Sequence, residues 1–223
     1  MIVLPAVIPE NLEDLESHLI QVRRMAKWVQ IDVCDGRLTP SASWPFVNEY
    51  GEFQEILDQQ RGLPFWEDFD FEIDLMVQKP AEEYERWIDA GASRIIFHYK
   101  ESLKDTLITV MRDTKDRGVE VGLALHIGDA PIALADFVEL LDVVQVMGIK
   151  NIGMQGQPFD EDCLELIRDV RSQYPQFEVS VDGGVNTDTV EMLADADVHR
   201  LVIGSALYGQ GDIREIYNYF SSF

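Results

Sequence analysis

Three aspartates lie within or directly after short apolar runs of the sequence, where packing alone does not explain an acid. They are Asp32 in the run 28–33, Asp74 in the run 71–77 and Asp182 after the run 177–181. If folding brings them together in a partly dry pocket, they repel one another, so a divalent cation, a retained proton or a nearby Lys or Arg must compensate them. A set of oxygen donors favours Mg²⁺ or Mn²⁺ over Zn²⁺. The alternative is three separate caps or salt-bridged acids.

Glycines follow the last three apolar runs. They are Gly153 and Gly156, Gly183 and Gly184, and Gly204 followed by Ser205. Without a side chain, glycine lets backbone N–H groups approach an anion closely. These positions therefore predict a phosphate-binding site made by three loops. The simpler interpretation of any one of them is a glycine that ends a strand.

Other polar residues at the ends of apolar runs are possible additional members of the site. His98 and His126 each end such a run, and Lys150 follows another. A histidine in this position is often only hydrogen-bonded to a neighbour, so that interpretation stays open for both. Gln30 lies two residues before Asp32, which places the two side chains on one face of a strand.

The elements that must position these residues alternate regularly along the chain. The predicted strands are 2–8, 28–33, 71–77, 92–98, 119–126, 143–149, 177–181 and 200–203. The predicted helices are 10–26, 53–57, one beginning at Pro80, 103–115, 131–141, 161–172, 187–194 and 212–219. Strands that are apolar throughout are typical of a parallel sheet covered by helices. Eight such units predict the α/β class and one (β/α)8 TIM barrel over residues 1–223, with its site at the carboxyl ends of the strands.

Charge and composition exclude several classes of partner. Acidic residues outnumber basic ones by 41 to 18, which gives a formal charge of −23. This argues against nucleic acid and against an anionic membrane surface. Two cysteines are too few for a disulfide framework, and the first residues lack the basic flank of a signal peptide. We therefore expect a cytoplasmic protein.

Four aromatic residues between the second and third strands would be costly to leave exposed as a patch. They are Trp44, Phe46, Phe65 and Trp66. Cover by a second subunit is a plausible use of such a patch, so a homo-oligomer is expected.

A series of short motifs runs through nearly the whole chain in a familiar order. They are Ile31–Gly36 with Thr39-Pro40, Asp74–Val77 with Pro80, Gly122–Leu125, Gly153–Gln157, Val181–Asn186 and Gly204–Ala206. Together they resemble the ribulose-phosphate 3-epimerase family.

The resemblance implies a reaction and assigns roles. In that family a metal is held by two histidines and two aspartates, and the same aspartates act as acid and base on opposite faces of the inverted sugar carbon. The metal stabilises the enediolate formed between the two proton transfers. By resemblance Asp32 and Asp182 are the catalytic pair, a phosphorylated sugar is the partner, and the glycine loops bind its phosphate. Gln30, Asp32, Asp74 and Asp182 then occupy the metal-ligand positions.

This chain also departs from the family pattern. Gln30 and Asp74 replace the two metal-binding histidines, and His126 stands where the family has asparagine. Pro9 takes the place of a serine, the sixth loop is one residue longer, and the segment around 61–71 is extended.

Three functions therefore remain open from the sequence. The favoured one is an isomerase or epimerase of a phosphorylated sugar. The second is a barrel of the same ancestry with aldol or decarboxylation chemistry that recruits His126 or Lys150. The third is a non-catalytic protein that binds a phosphorylated ligand.

Overall fold

The computed structural model describes residues 1–47, 51–154, 156–209 and 211–223. Eight parallel strands close into a barrel in chain order, which confirms the predicted TIM barrel. The strands are β1 Ile2–Val7, β2 Trp28–Cys34, β3 Asp70–Met76, β4 Arg94–His98, β5 Glu120–Leu125, β6 Val143–Met147, β7 Glu178–Asp182 and β8 Arg200–Ile203. Among the helices of the described segments, none is long and apolar enough to cross a membrane.

Helices cover the outside of the barrel. They are α1 Leu12–Val22, α2 Gly51–Leu57, α3 Pro80–Asp89, α4 Lys104–Asp116, α5 Asp162–Gln173, α6 Val190–Asp195, α7 Ser205–Tyr208 and α8 Ile213–Ser221. Their starts follow capping chemistry, since the Asn11 side chain accepts from the Asp14 N–H at 2.8 Å and Pro80 occupies the first turn of α3. Asp212 caps α8 in the same way.

The interior of the barrel differs from the layer between barrel and helices. The outer layer is one large apolar cluster, whereas the inner face carries small apolar clusters and many buried polar side chains. The inner polar residues include Gln30, Asp32, Glu72, Asp74, Arg94, Gln145, Ser180 and Arg200. Strand register sets their height, and it pairs Asp32 with Asp74 and Met147 with Asp182.

The amino end of the barrel holds the cations of the interior. Glu72 accepts from Arg94 at 2.6 Å and from Arg200 at 2.8 Å, and the Arg94 guanidinium lies 4.3 Å from the Trp28 ring centroid. A buried carboxylate paired with two guanidinium groups is compensated where it stands. Arg94 and Arg200 therefore neutralise Glu72 at the amino end of the barrel.

The predicted helix over 131–141 is wrong. The structure has a short 3₁₀ helix at Pro131–Leu134, and the turns that follow it continue with bonds from Phe137 N–H to Leu134 and from Leu140 N–H to Phe137. The apolar residues 134, 137 and 140 recur every three positions, which is the 3₁₀ repeat rather than the α-helical one.

Two further differences lie near the carboxyl end of the barrel. The helix predicted to begin at Thr187 begins at Val190, because Asn186 instead forms a turn in which its side chain accepts from the Asp188 N–H. The four-residue helix α7 directly after β8 was not predicted.

The predicted aromatic patch is also wrong. Trp44 is buried, and its ring packs edge-on against Phe53 and Trp87 at centroid distances of 5.3 and 5.9 Å. Phe65 is half-buried beneath the Arg23 guanidinium, whereas Trp66 is 63% exposed. The argument for a homo-oligomer thus disappears, and the oligomeric state stays a prediction.

Candidate active site

The three aspartates of β2, β3 and β7 converge at the carboxyl end of the barrel. One carboxylate oxygen of Asp32, of Asp74 and of Asp182 lies within 4.8 Å of the other two. Parallel strands whose inward positions share one register must bring such side chains to one mouth. The predicted convergence is confirmed, and we call these residues the carboxylate cluster.

Gln30 links two members of the carboxylate cluster. Its Nε2 donates to Asp32 Oδ1 at 2.7 Å and to Asp182 Oδ2 at 3.0 Å. Its Oε1 is buried and has no hydrogen-bond partner in the part of the chain that the structure describes. One amide therefore fixes the spacing of Asp32 and Asp182 and keeps a carbonyl oxygen free to accept.

Asp74 is held on both of its oxygens. His98 Nε2 lies 2.5 Å from Asp74 Oδ1, and Gln145 Nε2 donates to Asp74 Oδ2 at 3.1 Å. Behind His98, its Nδ1 lies 3.1 Å from His126 Nε2. The structure thus brings both predicted histidines to the cluster, although only His98 touches it.

Gln145 was missed by sequence reasoning. The signal that could have found it is the one that singled out Gln30, a glutamine inside an otherwise apolar strand that ends two residues later. A buried amide in such a strand needs a partner. Here the partner is Asp74, which lies on a strand that does not neighbour β6.

Burial sets the protonation of the carboxylate cluster. It raises the pKa of Asp32 and of Asp182 well above the ordinary range, and the neighbouring carboxylates raise both further. Burial also raises the pKa of Asp74 to about 7. It lowers the pKa of His98 and of His126 to about 4, so both rings are neutral at pH 7.

These residues fit a divalent cation. Within the described ranges, no Lys or Arg forms an ion pair with the three carboxylates, and the neutral histidines do not compensate them. The repulsion between the three carboxylates can therefore be compensated by a divalent cation or by retained protons, but not by a neighbouring Lys or Arg of the described residues. Three converging carboxylates form an oxygen donor set, which is compatible with a hard ion, and Gln30 faces two of them with its amide nitrogen.

A cavity of about 410 Å³ opens above Asp32 and Asp182. All six residues predicted to bind phosphate line it, namely Gly153, Gly156, Gly183, Gly184, Gly204 and Ser205. The lining also includes the apolar side chains of Met76, Met147 and Met154. Asp74 and the two histidines lie outside the lining, so the cavity places two carboxylates, and not three, against a ligand.

The seventh loop shows why glycine is required at the cavity. Gly183 and Gly184 have φ angles of 96° and 71°, and a Cβ on Gly184 would lie 2.7 Å from the Phe159 backbone. Successive residues in this region turn their N–H groups toward one concave surface. Gly148, which was not predicted, allows the sixth and seventh loops to approach closely, since a Cβ there would overlap the Gly183 carbonyl oxygen.

One predicted site residue, Lys150, lies away from the cavity, and one residue of the sixth-loop motif is not described. Lys150 is exposed and its Nζ lies 2.7 Å from Asp160, so the structure does not bring it to the cavity. Gln155, in the middle of the sixth-loop motif 153–157, lies outside the described residues.

Comparisons with known proteins agree with this architecture. A model of the ribulose-phosphate 3 epimerase family matches residues 2–208. Ribulose-phosphate 3-epimerase of Schizosaccharomyces pombe is 30% identical over 210 residues, covering 92% of this chain and 86% of that protein. The cytoplasmic isoform of the same enzyme from Oryza sativa subsp. japonica is 24% identical over 219 residues, covering 96% and 90%.

A solved structure extends the similarity of fold. The 3-hexulose-6-phosphate synthase from Salmonella typhimurium has a TM-score of 0.70 and 17% identity, and covers 100% of this chain and 97% of that one. At this identity the likeness shows the barrel alone. The family match and the relatives confirm the prediction of an isomerase type that acts on carbohydrate phosphates. With the match spanning residues 2–208, this chain belongs to the ribulose-phosphate 3-epimerase family.

Proposed function

We propose that this chain is a ribulose-phosphate 3-epimerase that inverts one carbon of a phosphorylated sugar by two-sided proton transfer. One observation carries the proposal: Asp32 and Asp182 both line the 410 Å³ cavity while one amide nitrogen, Gln30 Nε2, holds them at 2.7 and 3.0 Å. Two carboxyl groups facing one ligand are the minimum for removing a proton from one face and returning it to the other.

The raised pKa values suit the two roles. An epimerase needs one carboxylate as base and one protonated carboxyl as acid, with the roles exchanged for the reverse reaction. Burial and the repulsion of neighbouring carboxylates raise the pKa of Asp32 and of Asp182, which favours one protonated carboxyl in the pair. A divalent cation at Asp32, Asp74, Asp182 and Gln30 would supply electrostatic stabilisation of the charge that develops on the sugar oxygens.

The proposed phosphate site depends on backbone groups. No Lys or Arg stands among the described residues that line the cavity, and the chain carries a charge of −23. We therefore expect backbone N–H groups of the glycine loops after β6, β7 and β8, with the Ser205 hydroxyl, to bind the phosphate. In this arrangement the phosphate lies at the glycine wall and the inverted carbon lies over the two aspartates.

Solvent deuterium exchange tests the proposal. In D₂O with Mg²⁺ or Mn²⁺, the wild-type protein should incorporate deuterium at C3 of ribulose phosphate. Asp32→Asn and Asp182→Asn should each lower the exchange rate by about 10³-fold or more, because each removes one proton carrier. Asp197→Asn is a matched control, since that exposed carboxylate pairs with Arg171 away from the cavity.

The alternatives predict other results. Phosphosugar binding without any exchange would replace the epimerase with a non-catalytic binding protein. Cleavage or decarboxylation abolished by His126→Asn would point to changed chemistry, although Lys150 faces Asp160 rather than the cavity. Lack of both exchange and phosphosugar binding would refute the proposal.

The proposed location is the cytoplasm. The relative from Oryza sativa is itself named a cytoplasmic isoform. Fractionation of cells that produce the full chain would test this location.

A further inference from the structure

A chain of hydrogen bonds leads from the carboxylate cluster across three neighbouring strands. It runs from Asp74 Oδ1 on β3 to His98 Nε2 at 2.5 Å, and from His98 Nδ1 on β4 to His126 Nε2 at 3.1 Å. His126 directly follows β5, and its backbone N–H donates to Asp129 Oδ2 at 2.7 Å. The far end of the chain is therefore anchored to the backbone turn after β5.

The direction of this chain is constrained by the number of protons. An imidazole that carries one N–H can donate from only one of its two ring nitrogens, and the other nitrogen must accept. If His98 donates its Nε2–H to an anionic Asp74, its Nδ1 must accept, and the donor can only be His126 Nε2–H. In the reverse direction a protonated Asp74 donates to His98, whose Nδ1–H then donates to His126.

His98 is the imidazole partner of Asp74, and the hydrogen bond between them can run in either direction. Gln145 presents an amide N–H, which can only donate, and the Asp182 carboxyl shares a further hydrogen bond with Asp74. Asp74 itself is fully buried and lies outside the cavity lining, so substrate does not set its orientation. What fixes the tautomer of His98 thus fixes whether His98 donates to Asp74 or accepts from it.

We propose that His126 is a positioning residue that acts on Asp74 through His98. Its Nε2–H holds His98 in the tautomer that donates to Asp74, which fixes the orientation of the Asp74 carboxylate within the carboxylate cluster. The inference rests on the proposed function in that it takes the cluster as a cation site. His126 touches neither the cluster nor the cavity, so its role is indirect.

Histidine tautomers give a test that does not depend on catalysis. In ¹⁵N NMR spectra of the Mg²⁺-loaded protein without substrate, His98 should be protonated at Nε2. His126→Leu removes the donor, so the Nδ1–H form of His98 should become populated. His126→Gln offers an amide N–H in its place and should restore the wild-type tautomer.

Cation affinity gives the second measurement. By calorimetry, Mg²⁺ should bind His126→Leu about tenfold or more weakly than wild type, as expected when a group that orients a metal ligand is lost. His126→Gln should lie within a few-fold of wild type. The same His98 tautomer and the same Mg²⁺ affinity in His126→Leu would overturn the inference. Because neither measurement uses turnover, failure of the epimerase assay alone would refute the proposed reaction and leave this inference standing.

Discussion

At the scale of residues, the site is defined by buried acids that form no ion pair with any Lys or Arg in the described part of the chain. The two interior arginines pair with Glu72 at the opposite end of the barrel. The carboxylate cluster is instead surrounded by amides and neutral imidazoles, which orient it without neutralising it. Protons and a cation compete for such a site, so the affinity for the cation depends on pH.

Asp74→Asn should reveal this competition through stability. In wild type the folded-state pKa of Asp74 is about 7, above the unfolded value, so the folded state binds the extra proton between roughly pH 4 and 7. Stability must therefore fall as the pH rises through that window, by at most ~1.4 kcal/mol per pH unit. In EDTA, the melting temperature of the variant relative to wild type should rise from pH 4 to pH 7.

The difference between the two proteins is the informative quantity. The pKa of His98 and of His126 is lowered to about 4, so these rings make stability rise with pH between about 4 and 6.5, in the opposite sense. His126 does not touch Asp74 and should contribute equally in both proteins, whereas His98 touches Asp74, so its contribution cancels only in part. Excess Mg²⁺ at pH 7 should raise the melting temperature of wild type more than that of Asp74→Asn. A difference that is flat with pH would show that Asp74 is not a buried titrating acid.

At the scale of elements, the seventh loop joins the sheet to the cavity through a conformation that only glycine adopts easily. Gly184→Ala would force a Cβ to 2.7 Å from the Phe159 backbone at a φ of 71°. We expect the loop to shift and the affinity for inorganic phosphate, measured by calorimetry, to fall about tenfold or more. Gly91→Ala imposes similar backbone strain at a φ of 102° but meets open space away from the cavity, so it should leave phosphate affinity unchanged. Equal losses in both variants would contradict a local role.

The connection between β2 and β3 is stabilised by an aromatic cluster of Trp44, Phe53 and Trp87. Trp44→Ala removes a fully buried indole and should lower the free energy of unfolding by about 3–5 kcal/mol. Trp66→Ala, at a residue that is 63% exposed, should change it by less than about 0.5 kcal/mol. Urea denaturation of both variants measures the two values. Similar small effects would mean that the connection is not part of the core.

The sequence predicted what depends on local pattern and failed where distant neighbours decide. Two-residue periodicity was enough to place Gln30 beside Asp32, and barrel closure then brought Asp182 to the same mouth. The partner of Gln145 depends on which side chains meet inside the closed barrel, which no single strand reveals. The burial of Trp44 likewise depends on helices α2 and α3, and the outward direction of Lys150 on an ion pair with Asp160.

At the scale of the whole molecule, a charge of −23 opposes an anionic ligand and attracts a divalent cation. Salt screens both effects, because the Debye length shrinks from about 30 Å at 0.01 M to about 10 Å at 0.1 M. Over this range of KCl, inorganic phosphate should bind several-fold more tightly, and Mg²⁺ should bind more weakly. Calorimetry on one preparation measures both, and their opposite slopes separate a field effect from general competition by salt. If the affinities for phosphate and for Mg²⁺ both weakened with added KCl, competition by chloride and potassium would outweigh the effect of the net charge. The net charge of the protein would then have little influence on phosphate binding at the glycine loops.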